Sequence, residues 1–394
     1  MPKIKIAIVL GTRPEIIKMS PIIRACQKRS KDVDFFILHS GQHYDDNMDK
    51  VFFKDLELPL PRYNLHVGSK PFAEHVALMM KGMKKIFLKE QPDVVVVQGD
   101  TITVLMGALA AKKYDIPVAH HEAGLRSHDI RMPEEVNRIL TDHVSEFLFC
   151  PTKDALKNIK HEGLNADYYS MTGNTIVDAI QQNILIAEKR YDKLADKSNL
   201  LTRLGLKPKK YILITVHRAE NTDSKKRLTG IIEGICLIKK QFPAFEMIFP
   251  IHPRTSKKLN EYKIQIPKEF TIIEPLGFLD FLQLEKSAAL CITDSGGLQE
   301  ECSILHVPVV TVRDNTERPE TVAAGMNILA GTDPAMIARS AAKMLCKDIR
   351  WKNVFGDGHA GERIVDEIIT QIRRRKSLKE RMKWARRAVK KNLR

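Results

Sequence analysis

The chain has 394 residues, 43% hydrophobic and 28% charged, which suits a folded protein of two domains of roughly 150 to 200 residues and excludes a disordered chain. Its 64 Lys and Arg against 48 Asp and Glu give a net charge of +16, a value that by itself suggests a nucleic-acid partner. Twelve of those cations fall in residues 373–394, where Glu380 is the single acid, so the basicity belongs to the tail and not to the body of the chain.

The first apolar run, residues 4–10, carries Lys5 inside it and stops at Gly11. It is too short for a signal peptide or a bilayer span, and no later run reaches the roughly 18 apolar residues a span needs. A cytoplasmic chain without a membrane span is expected. The run reads as a β-strand, and further strand-like runs follow at 35–38, 94–97, 117–119 and 147–149. Helix-like segments at 14–28, 73–90 and 104–113 lie between them. The unbroken "VVVV" of 94–97 suits a central parallel strand buried on both faces.

A polar helix over 176–193 and a connecting stretch containing Gly205 and Pro208 separate this series from a second one. Its strands are expected at 211–216, 247–251, 271–273, 289–293, 307–312 and 327–329. Strands alternating with amphipathic stretches predict an α/β protein of two doubly wound domains in tandem. Parallel sheets bind ligands at the carboxyl ends of their strands, so two such domains facing each other predict an interdomain cleft. The six cysteines, Cys26, Cys150, Cys236, Cys291, Cys302 and Cys346, stand apart without a C-x-x-C pair. They read as reduced core residues, with neither disulfides nor a zinc site.

Polar residues gather where the strands end. "GTRPEIIKM" sets Gly11 and Pro14 at a helix start with Arg13 and Lys18 beside it, an arrangement suited to phosphate oxygens. It is not G-x-G-x-x-G, so no nicotinamide cofactor is expected. After "VVVV" comes Asp100, which also fits a helix N-cap. Glu122 ends the next strand, and Glu134 follows Pro133 in the first turn of a helix, where the macrodipole favours an anion. These three carboxylates are expected to converge. His120, His121, Asp129 and Glu135 read as supporting residues, and the spacing of the histidines matches no metal site.

In the second series "TVHRAEN" places His217 and Arg218 after a strand, and "PIHPRT" places His252 and Arg254 after the next. "TDSGGLQEE" opens a helix at Ser295, Gly296 and Gly297, with Glu301 one turn in. Backbone N–H groups there suit a pyrophosphate and the carboxylate suits the two hydroxyls of a ribose. "RDNTERPE" adds Arg313 and Arg318. A nucleoside diphosphate held by the second domain follows from these residue types.

Taken together, "GTRPEIIKM", "GQHYD", "QGDT", "HEAGLRS", "MPEEVNRILTD", "GNTIVDA", "HRAEN", "TDSGGLQEE" and "RDNTERPE" resemble the non-hydrolysing UDP-N-acetylglucosamine 2-epimerases, in order from Gly11 to Glu320. The resemblance implies a GT-B fold of two Rossmann-like domains, 1–172 with 365–394 and 173–364, the last helix crossing back onto the first. It implies interconversion of UDP-GlcNAc and UDP-ManNAc by a homodimer without metal or other cofactor, supplying ManNAc-type sugars for glycan or surface polysaccharide synthesis. Arg13, Lys18, His217, Ser295, Gly296, Gly297, Glu301 and Arg318 are the implied substrate-binding residues, and Leu276 and Phe281 the implied uracil contacts. Asp100, Glu122 and Glu134 are the implied catalytic carboxylates. In bacterial members a second substrate molecule activates the enzyme near the "GQH" motif, here Gln42 and His43.

Alternatives share parts of this pattern. "RSHDIRMPEEVNR" also resembles a sister branch acting on UDP-2,3-diacetamido-2,3-dideoxyuronic acids. A hydrolysing epimerase and a GT-B glycosyltransferase would hold the same nucleotide sugar. A nucleic-acid binder would account for the basic tail alone, which reads as a terminal helix with a solvated basic face and has Trp384 as its one aromatic residue.

Overall fold

Each of the apolar runs forms a strand that leads into a helix, and the strands build two wholly parallel sheets in a computed structural model that describes residues 2–41, 46–164, 166–192, 200–347 and 351–392. The chain divides into two units, Met1–Ala179 with Gly356–Arg394, and Ile180–Phe355.

The strands of the first unit are β1 Ile4–Leu10, β2 Val33–His39, β3 Tyr63–Asn64, β4 Val94–Gln98, β5 Val118–His121, β6 Phe147–Cys150 and β7 Tyr168–Met171, in the order β3-β2-β1-β4-β5-β6-β7. The order reverses between β1 and β4, and in a doubly wound sheet that crevice is where ligands bind. All five residues of β4 are buried, because helices cover both faces. On one face Val9, Val95 and Val97 pack with Met79, Met83 and Phe87 of the helix Phe72–Glu90 and with Val104 and Ala108 of the helix Ile102–Lys113. Burying each such side chain is worth about 1.5–3 kcal/mol.

The strands of the second unit are β8 Tyr211–Thr215, β9 Glu246–Pro250, β10 Phe270–Ile273, β11 Leu290–Thr293, β12 Val309–Thr311 and β13 Asn327–Leu329, ordered β10-β9-β8-β11-β12-β13. Its reversal lies between β8 and β11. Ile212, Ile214 and Ile292 pack with Ile231 and Ile235 of the helix Lys225–Gln241 and with Ile337 and Ala341 of the helix Pro334–Leu345. Gly234 permits the close approach of these two helices, since a Cβ there would lie 2.9 Å from Ile337 Cβ.

Two edge strands went unread in the sequence for a physical reason. β3 has two residues, and β7, "YYSM", alternates exposed and half-buried positions with no continuous apolar run. The polar helix runs Thr175–Asp192, and the connecting stretch contains a short helix, Leu200–Arg203, anchored by buried Leu200.

The helix Ala360–Asn392 belongs to the first unit, where it packs on the helix Arg13–Lys28. Ile364, Ile368 and Ile372 are buried, and ion pairs join Arg29 to Asp366, Arg373 to Asp32, Arg375 to Asp167 and Lys376 to Asp93 at 2.6–2.8 Å. The cysteines are free thiols, four of them buried, with Cys236 half-buried and Cys346 exposed. Among the described residues no helix is long and apolar enough to cross a membrane.

Candidate active site

At the end of β1 the chain turns into the helix Arg13–Lys28 through a capping box in which Thr12 and Glu15 bond reciprocally. Glu15 is buried and its Oε2 accepts from the backbone N–H groups of Gly11, at 2.5 Å, and Thr12, at 2.9 Å, while Thr101 Oγ1 donates to Oε1 at 2.5 Å. Burial pushes its carboxyl up to about 7, against the pull of those hydrogen bonds. Glu15 thereby ties the β1 turn to the β4 turn across the reversal point of the sheet. Gly11 has no room for a side chain, because a Cβ would lie 2.1 Å from Ser40 Oγ. Arg13 is exposed at the first position of the helix.

Lys18, one turn further on, is an implied substrate contact; its Nζ lies 2.6 Å from Glu122 Oε1. Glu122 follows β5 with a positive φ of 66° and is 5% exposed. A left-handed backbone at a residue with a side chain carries strain, a frequent feature of functional turns. Asn174 Nδ2 also donates to Oε1, at 2.9 Å, and Gln98 Nε2 donates to Oε2. Register explains the last contact, since Gln98 pairs with His121 between β4 and β5. Gln98, the last residue of β4, and Asn174, just beyond β7, were missed as site residues, although both lie in the motifs "QGDT" and "GNTIVDA".

Asp100 and Glu134 stand on the neighbouring turns. Thr101, not Asp100, caps the helix Ile102–Lys113, so the capping explanation for Asp100 fails. Its carboxylate instead pairs with Arg138, and its carbonyl accepts from Asn137 Nδ2 at 2.9 Å. Both partners lie on the helix Pro133–Val144, whose first turn carries Glu134. Glu134 is exposed and makes no hydrogen bond or ion pair with a described residue. Glu135 is 1% exposed and accepts from Ser127 N, His128 N and Arg138, so it fastens the 123–132 loop to the helix.

Beneath these groups lies a buried charge network. Asp142 accepts from Gly124 N and Arg126 NH1 and pairs with His120 Nδ1 at 2.7 Å, while His120 Nε2 meets Gly99 O and Arg126 continues to Glu162. Gly124 is required there, because a Cβ would sit 2.2 Å from Ala155 O and φ is +80°. His121 contacts Thr175 Oγ1 at 2.8 Å, and burial lowers its imidazole to about 4, so it stays neutral. The supporting part read for His120, His121 and Glu135 matches these contacts.

In the second unit buried Asp294, just beyond β11, organises the turn after β8. It accepts from the N–H groups of His217 and Arg218 and from Asn221 Nδ2 at 2.9–3.1 Å. His217 Nδ1 lies 3.2 Å from the same carboxylate, yet burial outweighs Asp294 and lowers the His217 imidazole below its ordinary range. A hollow of about 180 Å3 opens beside it, lined by His217, His252, Pro275, Leu276, Phe281 and Leu298. Leu276 and Phe281 thus share one apolar hollow. Ser295 caps the helix Gly296–Ile304, its Oγ accepting from Leu298 N at 3.4 Å. Glu301 Oε1 lies 3.8 Å from where a Gly297 Cβ would be, over that helix start. Arg318 pairs with Glu300 at 2.5 Å and remains partly exposed, whereas Arg313 is 6% exposed between Glu220 and Glu317.

Gln42 and His43 lie outside the described residues. Among the described residues no group of three His, Cys, Asp or Glu side chains is placed to hold a metal ion.

Comparison with known proteins agrees with this layout. The family described as UDP-N-acetylglucosamine 2-epimerase matches residues 24–369, short of the basic tail. A UDP-N-acetylglucosamine 2-epimerase of Methanococcus maripaludis is 53% identical over 368 residues, 92% of this chain and 98% of that protein. The crystal structure of Methanocaldococcus jannaschii UDP-GlcNAc 2-epimerase in complex with UDP-GlcNAc and UDP is 51% identical, with a TM-score of 0.79 over 93% of this chain and 99% of its own. The UDP-2,3-diacetamido-2,3-dideoxy-D-glucuronate 2-epimerase of Pseudomonas aeruginosa stands further off, at 38% identity over 92% of this chain and 99% of its own. With two Rossmann-like sheets of GT-B type and such matches along nearly its whole length, the chain belongs to the UDP-N-acetylglucosamine 2-epimerase family.

Proposed function

We propose that the chain interconverts UDP-GlcNAc and UDP-ManNAc by eliminating UDP and adding it back. The C2 proton of the sugar is not next to a carbonyl, so direct deprotonation is out of reach. Breaking the C1–O bond as the proton leaves yields a 2-acetamidoglucal, with the bonding pair departing on UDP. Protonation of C2 from the opposite face and return of UDP to C1 complete the inversion.

The observation that supports this reading best is the buried Glu122 carboxylate, held by Lys18, Asn174 and Gln98. Buried and bonded to the Lys18 ammonium group, it is a fixed proton acceptor. Asp100, partly exposed and paired with Arg138, shares the proton work. Glu134, which is exposed and makes no hydrogen bond or ion pair with a described residue, stabilises positive charge that develops on the sugar ring. The nucleotide is held by Arg13, His217, Arg318 and the N–H groups at Ser295, Gly296 and Gly297, with uracil in the hollow at Leu276 and Phe281 and the ribose hydroxyls on Glu301. Stabilised this way, the leaving UDP remains bound for re-addition.

Incubation with UDP-GlcNAc in D2O, followed by NMR, tests the proposal. UDP-ManNAc carrying deuterium at C2 is the expected product. Free ManNAc with UDP would mark a hydrolysing enzyme. Exchange with the diacetamido-uronic substrate but none with UDP-GlcNAc would transfer the activity to the sister branch.

A further inference from the structure

Gly99 stands beside both carboxylates of the proposed proton transfer. Glu122 Oε2 lies 3.6 Å from where a Gly99 Cβ would be, and Asp100 is the next residue in the chain. Gly99 has a φ of +83°, and a glycine can swing to other backbone angles at little cost. A peptide group is planar, so the direction of Gly99 O also sets the direction of Asp100 N. Whatever grips that carbonyl therefore decides how Asp100 leaves the end of β4. His120 Nε2 meets Gly99 O at 2.8 Å, and since a carbonyl only accepts, Nε2 is the donor. Asn137 and Arg138 hold Asp100 from the other side, at its own carbonyl and its carboxylate.

His120 is itself held in place. It is fully buried and pairs with Val97 in the register between β4 and β5, and its Nδ1 lies 2.7 Å from Asp142 Oδ1. Asp142 is anchored in turn by Gly124 N at 3.0 Å and by Arg126 at 2.7 Å. Gly124 stands two residues beyond Glu122, so one chain of hydrogen bonds joins the turn that carries Asp100 to the turn that carries Glu122. We propose that His120 is a positioning residue for proton transfer, gripping Gly99 O so that Asp100 and Glu122 keep a fixed separation. The inference rests on reading Asp100 as a proton-transfer group. His120 touches no substrate and acts through Asp100. A histidine needed for the fold alone would be served equally by either of its two bonds.

The test uses the different reach of two amides. The side-chain nitrogen of Gln extends to the place of Nε2, and that of Asn to the place of Nδ1. His120→Gln therefore keeps the donor to Gly99 O and gives up the contact with Asp142, whereas His120→Asn does the reverse. Each loses one hydrogen bond of a buried side chain, so both are expected to melt below the unaltered protein. Steady-state rates and C2 deuterium exchange are then measured with UDP-GlcNAc on the full chain. His120→Asn is expected to lose about a hundredfold in kcat and exchange, the cost of a small misplacement of a reacting group, with KM and UDP affinity unchanged. His120→Gln is expected to retain both rates. Equal losses in the two variants, or the larger loss in His120→Gln, overturn the proposal. Asp100→Asn separates the premise from the inference: if it keeps full exchange, the reading of Asp100 fails and takes the inference with it. An undiminished kcat in His120→Asn, with Asp100→Asn impaired, overturns the proposal alone. Should His120→Asn fail to fold, His120→Gln decides: a kcat near that of the unaltered protein supports the proposal, and a fall like that of Asp100→Asn overturns it. If His120→Gln does not fold, both bonds serve the fold and the proposal is overturned.

Discussion

Lys18 Nζ and Glu122 Oε1 lie 2.6 Å apart although 104 positions separate them in the chain. Both side chains are largely buried, at 15% and 5% exposure. Removing one partner of such a pair strands the other charge and costs about 3–5 kcal/mol. Lys18→Met is therefore expected to lower stability by about that amount and also to depress turnover. Urea unfolding and initial rates check the two effects separately.

Glu122→Gln keeps the shape of the site and removes the proton acceptor. Nucleotide binding is expected to stay near normal while C2 deuterium exchange falls at least about a hundredfold, the usual weight of a general base. Full exchange in this variant would remove Glu122 from the chemistry.

The neighbours Glu134 and Glu135 should separate cleanly. Glu134→Gln alters no hydrogen bond or ion pair with a described residue and is expected to lower kcat with melting unchanged. Glu135→Gln weakens the acceptor for Ser127 N, His128 N and Arg138. It is expected to cost about 1–3 kcal/mol of stability, with the kinetic loss following from a loosened 123–132 loop. Melting curves and kcat for the pair decide the assignment.

Two buried groups make opposite contributions to the pH dependence of stability. Glu15, raised from 4.5 to about 7, contributes stability that is complete below pH 4.5 and lost as pH rises through 7. At about 1.4 kcal/mol per unit the loss is at most about 3 kcal/mol. His121, lowered from 6.5 to about 4, contributes stability present above pH 6.5 and lost as pH falls through 4. Relative to the unaltered protein, Glu15→Gln is expected to gain stability as pH rises from 4.5 to 7. His121→Gln is expected to gain as pH falls from 6.5 to 4. Chemical denaturation across pH 4–8 reads both slopes.

Arg373, Arg375 and Lys376 of the basic tail form ion pairs with the first unit. A chain ending at Leu378 retains the pairs of Arg373, Arg375 and Lys376 and is expected to match the full chain in activity and melting. A chain ending at Ile372 loses all three. Exposed pairs are worth about 0–1 kcal/mol each, so a lower melting temperature with kcat retained is expected. Differential scanning calorimetry on both truncations measures it.

Much of this molecule was legible from local pattern. Apolar runs such as those at 4–10 and 94–97 announced strands because a strand buried on both faces needs an unbroken apolar stretch. The turns after them carried the polar residues because ligands meet a parallel sheet at its carboxyl ends. Glu122, Ser295 and Glu301 could be picked out on those grounds without coordinates. The sequence could not show that Lys18 reaches Glu122, that Asn174 and Gln98 complete its shell, or that Arg313 is consumed by Glu220 and Glu317. Nor could it show that Glu134 is exposed and Glu135 buried on the same helical turn. Those facts depend on which strands become neighbours and which side chains lose their water. Both are set by packing between residues far apart in the chain, and no local spacing encodes them.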